Sequence, residues 1–265
     1  MKLFLILFAA LAAVQAAKIP LQSRVHPLNV MLGDGKQSRI VNGNPAGPGQ
    51  FPFYAAVDIL TGYFCGGSII SNRWVLTAGH CGVLGGNTDF KVGVGSLGVP
   101  SETFYISDGI HVHDNYDPWT LANDIALIHL SSDIIFSDYV QAVTLPSIGE
   151  ENQFEDYNAK IVGHGKTSDG AGGVSPYLLY ADVSVMSNYD CRMYYGGLII
   201  NSMMCAIGNS GQSTCNGDSG GPLVVENKLV GVISFVSGYG CNYGLPFGQT
   251  RVTSHRQWIF NVSGV

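Results

Sequence analysis

Three segments each place a reactive polar side chain beside apolar, strand-like residues or a cysteine: His80 in LTAGHC, Asp124 in NDIALI and Ser219 in CNGDSGGP. A serine hydroxyl is a weak nucleophile at neutral pH and needs a base within hydrogen-bond reach, for which an imidazole is well suited. That base needs a carboxylate, which fixes the imidazole tautomer and stabilises the imidazolium that forms. The three residue types together therefore predict nucleophilic acyl transfer.

Glycines surround the candidate nucleophile. Gly217, Gly220 and Gly221 let the backbone turn sharply, so that amide N–H groups can converge on a developing oxyanion. The same stretch matches the G-x-S-x-G pattern of α/β-hydrolases, in which an acidic residue and then a histidine follow the serine. Only Glu226 and His255 are available for those roles, and the sequence shows no alternation of strands and helices. We therefore set that alternative aside.

Short runs with strand-like composition recur along the chain, separated by clusters of Gly, Pro, Asn, Asp and Ser. They cover residues 53–59, 67–70, 74–77, 90–94, 104–106, 125–130, 160–163, 180–185, 222–225, 229–235 and 247–252. Many strands at such spacing predict an all-β sandwich or barrel. One amphipathic helix is expected, at the end of the chain, with Ser254 capping residues 256–262.

The composition limits the function classes. Of the 265 residues, 46% are hydrophobic and 12% are charged, with a net charge of −6, so the chain can build a core. No block of Lys or Arg exists, which argues against a nucleic-acid partner. No apolar run reaches the roughly 18 residues that span a bilayer, so no membrane anchoring is expected.

The first 39 residues differ from the rest. Residues 1–16 combine a positive start, an apolar run and small residues, as in a secretory signal peptide. Residues 17–39 form a polar, basic segment that ends at Arg39, directly before the strand-like Ile40 and Val41. We expect a secreted precursor that is cut after Arg39. Losing residues 1–39 removes five basic residues and one acidic residue, which leaves a net charge of −10.

All six cysteines lie after residue 40, and in a secreted chain they predict three disulfides. Fifteen pairings are possible on count alone. Zinc binding is disfavoured because no C-x2-C pair exists, and His111 with His113 offers too few ligands for a metal. No acidic calcium loop is evident, so no metal or other cofactor is expected. The G-x-G-x-x-G match at residues 93–98 is not followed by a helix pattern and is interpreted as a turn.

The three motifs, with His80, Asp124 and Ser219 spaced by 44 and 95 residues, resemble the chymotrypsin/trypsin family of serine endopeptidases. The resemblance covers residues 40–265, and Gly79 replaces the alanine that is commoner before the histidine. It implies two six-stranded antiparallel β-barrels with the site between them. The first barrel would span about 40–150, the second about 151–253, and a final helix about 254–263.

The resemblance also implies roles for particular residues. His80 would be the general base and then the acid, Asp124 would orient it, and Ser219 would attack the scissile carbonyl. The N–H groups of Gly217 and Ser219 would form the oxyanion hole. Ser234 matches the serine that hydrogen-bonds the aspartate. The implied disulfides are Cys65–Cys81, Cys191–Cys205 and Cys215–Cys241.

By the same resemblance, an activating protease would cleave after Arg39, and the freed ammonium of Ile40 would pair with the Asp218 carboxylate. That buried pair would order the oxyanion hole and the substrate pocket. The implied partners are protein or peptide substrates, the activating protease and protein inhibitors of proteases.

The substrate pocket departs from the trypsin pattern. By the resemblance, Ser213 would stand at the pocket floor, where cleavage after Lys or Arg would need an aspartate, and Ser234 would begin the pocket wall. Val236 and Phe247 would occupy lining positions that carry glycine in the open pockets of the family. We expect elastase-like cleavage after small or medium apolar residues. The alternatives are chymotrypsin-like cleavage after Phe, Tyr or Leu, if Phe247 swings away, and an inactive homologue that serves as a binding module.

Overall fold

A computed structural model of the chain describes residues 40–86 and 89–265. The signal peptide predicted at 1–16, the segment 17–39 and the cleavage residue Arg39 lie outside the described residues. None of the helices in the described ranges combines the length and apolarity needed to cross a membrane.

Six strands of the first half close into an antiparallel barrel in the order β2-β3-β4-β7-β6-β5. Two of them, β2 and β7, are buried along most of their length. One face of such a strand is turned to the barrel interior, and the opposite face is covered by loops or by the second barrel. The strands are β2 (Tyr54–Ile59), β3 (Tyr63–Ile69), β4 (Trp74–Thr77), β5 (Phe90–Val94), β6 (Thr103–Val112) and β7 (Ala126–Leu130).

Six strands of the second half form another closed barrel, since each pairs with its neighbour in the order β8-β9-β10-β13-β12-β11 and β11 returns to β8. The strands are β8 (Asn158–Gly163), β9 (Leu179–Met186), β10 (Met203–Gly208), β11 (Pro222–Val225), β12 (Lys228–Phe235) and β13 (Phe247–Arg251). The prediction of two six-stranded antiparallel barrels is confirmed.

The start of the described chain belongs to the second half. The two-residue strand β1 (Asn44–Pro45) pairs with β9, and Val41 forms a bridge with Ser213. The expected boundary, which assigned residues from 40 onward to the first barrel, is therefore wrong for this segment. The reason is that the chain crosses the second barrel before β2 begins the first.

Sequence patterns missed two strands and two α-helices. The strands are β1 and β10, and the helices are α1 (Gly79–Gly85) and α2 (Asn188–Tyr195). Helix α3 (Val252–Ser263) follows β13 without a loop, and its N-cap position is Arg251. Ser254 lies inside the first turn of α3, so the prediction that it caps the helix is wrong.

The three disulfides are those that the family resemblance implied: Cys65–Cys81, Cys191–Cys205 and Cys215–Cys241, and none of the cysteines is free. Two of the bridges tie a helix to a barrel strand, and the third joins two loops. Cys81 lies in α1 next to His80, and Cys215 begins the segment that carries Ser219. The cross-links therefore hold the elements that position the polar residues.

Candidate active site

His80 and Asp124 form a buried pair between helix α1 and the turn that precedes β7. The Nδ1 atom of His80 lies 2.8 Å from Oδ2 of Asp124, and the backbone N–H of His80 donates to Oδ1 at 2.8 Å. Both side chains are almost completely buried. The carboxylate therefore holds the imidazole by its Nδ1 side and does not engage Nε2.

Asp124 is fixed by two hydroxyl groups of the second barrel. Ser234 Oγ donates to Asp124 Oδ2 at 2.6 Å, and Thr250 Oγ1 donates to the Asp124 carbonyl at 2.6 Å. Ser234 is the residue that sequence reasoning placed next to the aspartate, whereas Thr250 was missed. The acid of the first half is therefore held in place by β12 and β13 of the second half.

Ser219 lies against strand β3 of the first barrel. Its carbonyl accepts a hydrogen bond from Gly66 N–H at 2.7 Å. A Cβ atom at the neighbouring Gly220 would lie only 3.0 Å from the backbone nitrogen of Ala78, two residues before His80. The His80 Nε2 atom is buried and has no hydrogen-bond partner among the residues that the structure describes. The segments of His80, Asp124 and Ser219 thus converge between the barrels.

The turn around Ser219 depends on glycine. Gly217 and Gly220 have φ angles of 96° and 80°, which residues other than glycine rarely adopt. A Cβ atom at Gly220 would also lie 2.1 Å from Thr77 Oγ1. Within the described ranges, the N–H groups of Gly217 and Ser219 donate to no other backbone or side-chain acceptor. Two donors beside the serine are therefore free to bind an oxygen atom.

Asp218 is fully buried next to the serine. Its Oδ1 accepts from Gly165 N–H at 2.7 Å and its Oδ2 from Cys215 N–H at 3.0 Å. Burial raises the pKa of this carboxyl to about 7. Cβ atoms at Gly163 and Gly165 would lie about 2 Å from the Asp218 carboxyl group. These two glycines create the space for the carboxylate, and sequence reasoning missed both.

The first described residue lies close to the serine segment. Ile40 is completely buried in the core of the second barrel, and Val41 N–H donates to Ser213 O at 2.9 Å. The amino end of the described chain is thereby held beside the segment 213–219.

The residues expected to line the substrate pocket gather in the second barrel. Ser213 is buried, and its Oγ donates to Thr214 O at 3.1 Å. Phe247 has no exposed surface and packs in the barrel core, and the half-buried Val236 packs against that core. The Phe247 ring therefore occupies space that a glycine would leave empty.

A second aromatic layer supports this region. The Phe235 ring covers Gly248, where a Cβ atom would lie 2.0 Å from the ring. Tyr195 packs edge-on against Phe235, with ring centroids 5.3 Å apart, and its hydroxyl donates to Pro246 O. Sequence reasoning did not assign Tyr195, because Phe235 and Pro246, which it contacts, lie far along the chain. Helix α2 is thus connected to the segment that carries Phe247.

Within the described ranges, side chains that could bind a metal ion lie close together in two places. Both groups include disulfide-bonded cysteines. Their sulfur atoms are not available as thiolate ligands. His111 and His113 contact different neighbours, Trp74 for the former and both His255 and Trp258 for the latter. Within these ranges, neither group keeps more than one free metal ligand.

Comparison with protein families gives a match to the trypsin family over residues 40–259. The chain belongs to the trypsin family. It is a serine endopeptidase of that family, which agrees with the fold and with the polar residues described above.

Relatives agree with this assignment. A collagenase of Hypoderma lineatum is 37% identical, and the alignment covers 100% of this chain and 99% of the relative. Brachyurin of Leptuca pugilator is 38% identical, and the alignment covers 85% of this chain and 99% of the relative. A solved structure described as HL collagenase matches with a TM-score of 0.78 and 38% identity, covering 85% of this chain and 99% of that chain.

Proposed function

We propose that this chain is secreted as an inactive precursor and, once cut after Arg39, hydrolyses peptide bonds through His80, Asp124 and Ser219. The observation that carries the proposal is the buried hydrogen-bond chain from Ser234 through Asp124 to His80, whose Nε2 atom has no hydrogen-bond partner among the described residues. A histidine held in this way is suited to accept a proton from a serine hydroxyl.

In the proposed reaction, Ser219 Oγ attacks the scissile carbonyl carbon while its proton moves to His80 Nε2. The carbonyl oxygen becomes an oxyanion that accepts hydrogen bonds from the N–H groups of Gly217 and Ser219. His80 then gives the proton to the leaving nitrogen, the C–N bond breaks, and an acyl ester on Ser219 remains. A water molecule repeats these steps, restores the hydroxyl and releases the carboxylic acid, while Asp124 stays ionised.

Activation is proposed to act through Asp218. Its carboxylate is fully buried with two backbone N–H donors, and its raised pKa indicates an unfavourable buried charge. Cleavage after Arg39 would create an ammonium group on Ile40, whose side chain already packs in the same barrel. An ion pair between the two would stabilise the turn that carries the oxyanion donors.

Pocket residues favour cleavage after small or medium apolar side chains. The pocket floor is a neutral serine rather than an acid, and complete burial of Phe247 together with Val236 reduces the available depth. Chymotrypsin-like cleavage after Phe, Tyr or Leu is the second candidate and requires that the Phe247 ring leave the core. One relative carries the name collagenase, so collagen belongs in the panel of substrates to be tested.

The test of the mechanism is active-site labelling. Protein cut after Arg39 should react with a fluorophosphonate at Ser219, whereas Ser219→Ala protein should neither react nor hydrolyse peptides while keeping its circular dichroism spectrum. An Arg39→Gln precursor, shown to be uncut, should be inactive. Absence of labelling in the cut wild-type protein would favour the alternative of an inactive binding module.

Specificity is tested with peptides that differ only at the residue before the scissile bond. We expect the highest kcat/KM for Ala or Val. A strong preference for Tyr or Phe would overturn the elastase-like proposal and support the second candidate.

A further inference from the structure

An Asn-Gly step is the place in a polypeptide where an asparagine side chain reacts most readily with the backbone, because glycine has no Cβ atom to shield the nitrogen that follows the asparagine. The chain contains two such steps, Asn42-Gly43 and Asn216-Gly217. The second lies three residues before Ser219, and its glycine nitrogen is one of the two proposed oxyanion donors. The structure gives the two steps different surroundings.

The Asn42-Gly43 step is held from several sides. The Asn42 side-chain amide donates to Gly211 O at 3.4 Å, and the Asn42 carbonyl accepts from Gln212 Nε2 at 3.1 Å. Gly43 N–H donates to Ile40 O at 3.5 Å, and a Cβ atom at Gly43 would lie 2.8 Å from Ile40 Cγ2. Moving the Asn42 side chain onto the Gly43 nitrogen would therefore break hydrogen bonds in a crowded space.

The Asn216-Gly217 step is fixed in a different way. Asn216 O accepts from Lys166 N–H at 3.2 Å. In a trans peptide the N–H points opposite to the C=O, so the Gly217 N–H points away from Lys166. It donates to no acceptor in residues 40–86 and 89–265, and both residues of the step are half-buried. The Gly217 nitrogen can therefore act as a nucleophile without the loss of a backbone hydrogen bond.

The reaction at such a step is intramolecular. The Gly217 nitrogen attacks Asn216 Cγ and forms a C–N bond, and the side-chain NH2 group leaves with the hydrogen of the Gly217 N–H as ammonia. Water then opens the five-membered imide at either carbonyl, which produces aspartate or isoaspartate at position 216. One water molecule is consumed and one ammonia molecule is released, without an oxidant or a cofactor.

We propose that Asn216 is a site of spontaneous deamidation, and that this modification inactivates the enzyme. The imide has no hydrogen on the Gly217 nitrogen, so one oxyanion donor is lost. Aspartate restores the N–H but adds a negative charge beside the place where the oxyanion develops. Isoaspartate lengthens the main chain by one methylene group before Ser219. The effect on activity rests on the proposed function, whereas the modification itself does not.

The modification is measured in Ser219→Ala protein cut after Arg39, which cannot digest itself. The protein is incubated at pH 8, native or in urea, and then digested at acidic pH, where deamidation is slow. Mass spectrometry follows the gain of one mass unit at Asn216 and at Asn42. We expect Asn216 to react several-fold faster than Asn42 in the native protein and at a similar rate in urea. Equal rates in the native protein, or a faster reaction at Asn42, would overturn the inference.

The effect on activity is measured with cut protein that has an intact Ser219. Asn216→Gln keeps an amide but has to close a six-membered ring, which is much slower, and Asn42→Gln is the matched control. Per molecule of intact protein, wild-type and Asn42→Gln should lose activity in step with deamidation at position 216. Asn216→Gln should keep its starting activity over the same period. Equal loss in all three proteins would contradict the inactivation.

Deamidated wild-type protein can be separated by ion exchange because it carries one more negative charge. We expect its kcat to be at least about a hundredfold lower, since removal of one oxyanion donor has an effect of this size. A deamidated fraction with full kcat would overturn the inactivation. If fresh wild-type protein is inactive, the proposed function fails, and the measurement on Ser219→Ala protein still decides whether Asn216 is the reactive site.

Discussion

Asp218 links the segment that carries Ser219 to the chain around Gly165. Two backbone N–H groups bind its carboxylate, and Gly163 and Gly165 leave it just enough space. A residue with a side chain at either position would force the carboxylate, or the segment that carries the glycine, to shift.

We expect Gly165→Ala to lower kcat/KM at least about a hundredfold and to reduce the free energy of unfolding by about 1–3 kcal/mol, because the new methyl group would lie 2.0 Å from Asp218 Cγ. Peptide hydrolysis and urea unfolding check this. Gly170→Ala on the same connection is the control, since no atom lies within 4 Å of the added Cβ. Equal activity of the two variants would contradict the role assigned to Gly165.

Phe247 provides the second prediction at this scale. Phe247→Gly should open the primary pocket and raise the kcat/KM for a substrate with Phe before the scissile bond, relative to Ala, at least about tenfold. The same change removes a completely buried ring and should lower the free energy of unfolding by about 3–5 kcal/mol. If the preference for Ala persists in a folded variant, Phe247 does not limit the pocket.

Residues in the motifs could be predicted from sequence because short, specific patterns carry them. Sequence patterns could not predict the roles of Thr250, Gly163 and Gly165. Each of these residues contacts a residue more than 50 positions away. The GHG run at residues 163–165 is the one local signal for the two glycines. It gives no indication of which side chain fills the space.

Strand β13 reaches across the molecule to hold the Asp124 segment. Replacing Thr250 by Val removes the hydroxyl that donates to the Asp124 carbonyl and leaves a buried acceptor unsatisfied. We expect a loss of about 1–3 kcal/mol in the free energy of unfolding and a lower kcat. Urea unfolding and peptide hydrolysis measure the two effects.

Thr253→Val is the matched control for this change. In the described part of the chain, Thr253 Oγ1 is buried without a hydrogen-bond partner, so the same substitution should be neutral or slightly stabilising. A similar destabilisation by both variants would show that the loss comes from packing and not from the hydrogen bond.

Elements with regular patterning were predicted, and irregular ones were missed. Strand β9 alternates buried and half-buried residues, as a strand with one covered face should. Helix α2 has no apolar stripe and exposes Tyr189 and Met193; it is held instead by the Ser187 cap and by the bridge from Cys191. Such cross-links are not visible in local periodicity.

The uncut precursor should become less stable as the pH rises. Burial raises the pKa of Asp218 from 3.8 to about 7, so the folded chain binds this proton more tightly than the unfolded chain does. The resulting stabilisation is complete below about pH 4 and is lost as the pH rises through about 7. At about 1.4 kcal/mol per unit, the difference amounts to a few kcal/mol.

Urea unfolding of the Arg39→Gln protein between pH 4.5 and 8 measures this effect. The Arg39→Gln/Asp218→Asn protein should show a much weaker dependence over that range. Equal slopes for the two proteins would mean that Asp218 is not the responsible group.

The arrangement of the whole molecule was available only through the family resemblance. Local patterns predicted an all-β architecture, and the motifs identified the family that implied two barrels. The assignment of residues 40–45 to the first barrel was wrong because strand pairing between distant segments, here β1 with β9, leaves no trace in local sequence.

Each barrel is contacted by a segment from the opposite half of the described chain. The segment 40–45 lies on the second barrel, while α3 reaches the first half through His255 Nε2 at Asn123 Oδ1 and through Arg256 Nε, which donates to Pro146 O. A single proteolytic nick in the connection at residues 147–153 would therefore not let the halves separate. The two fragments should co-migrate in native gels as a non-covalent heterodimer and separate only in denaturant. The cut enzyme should therefore keep its two barrels together.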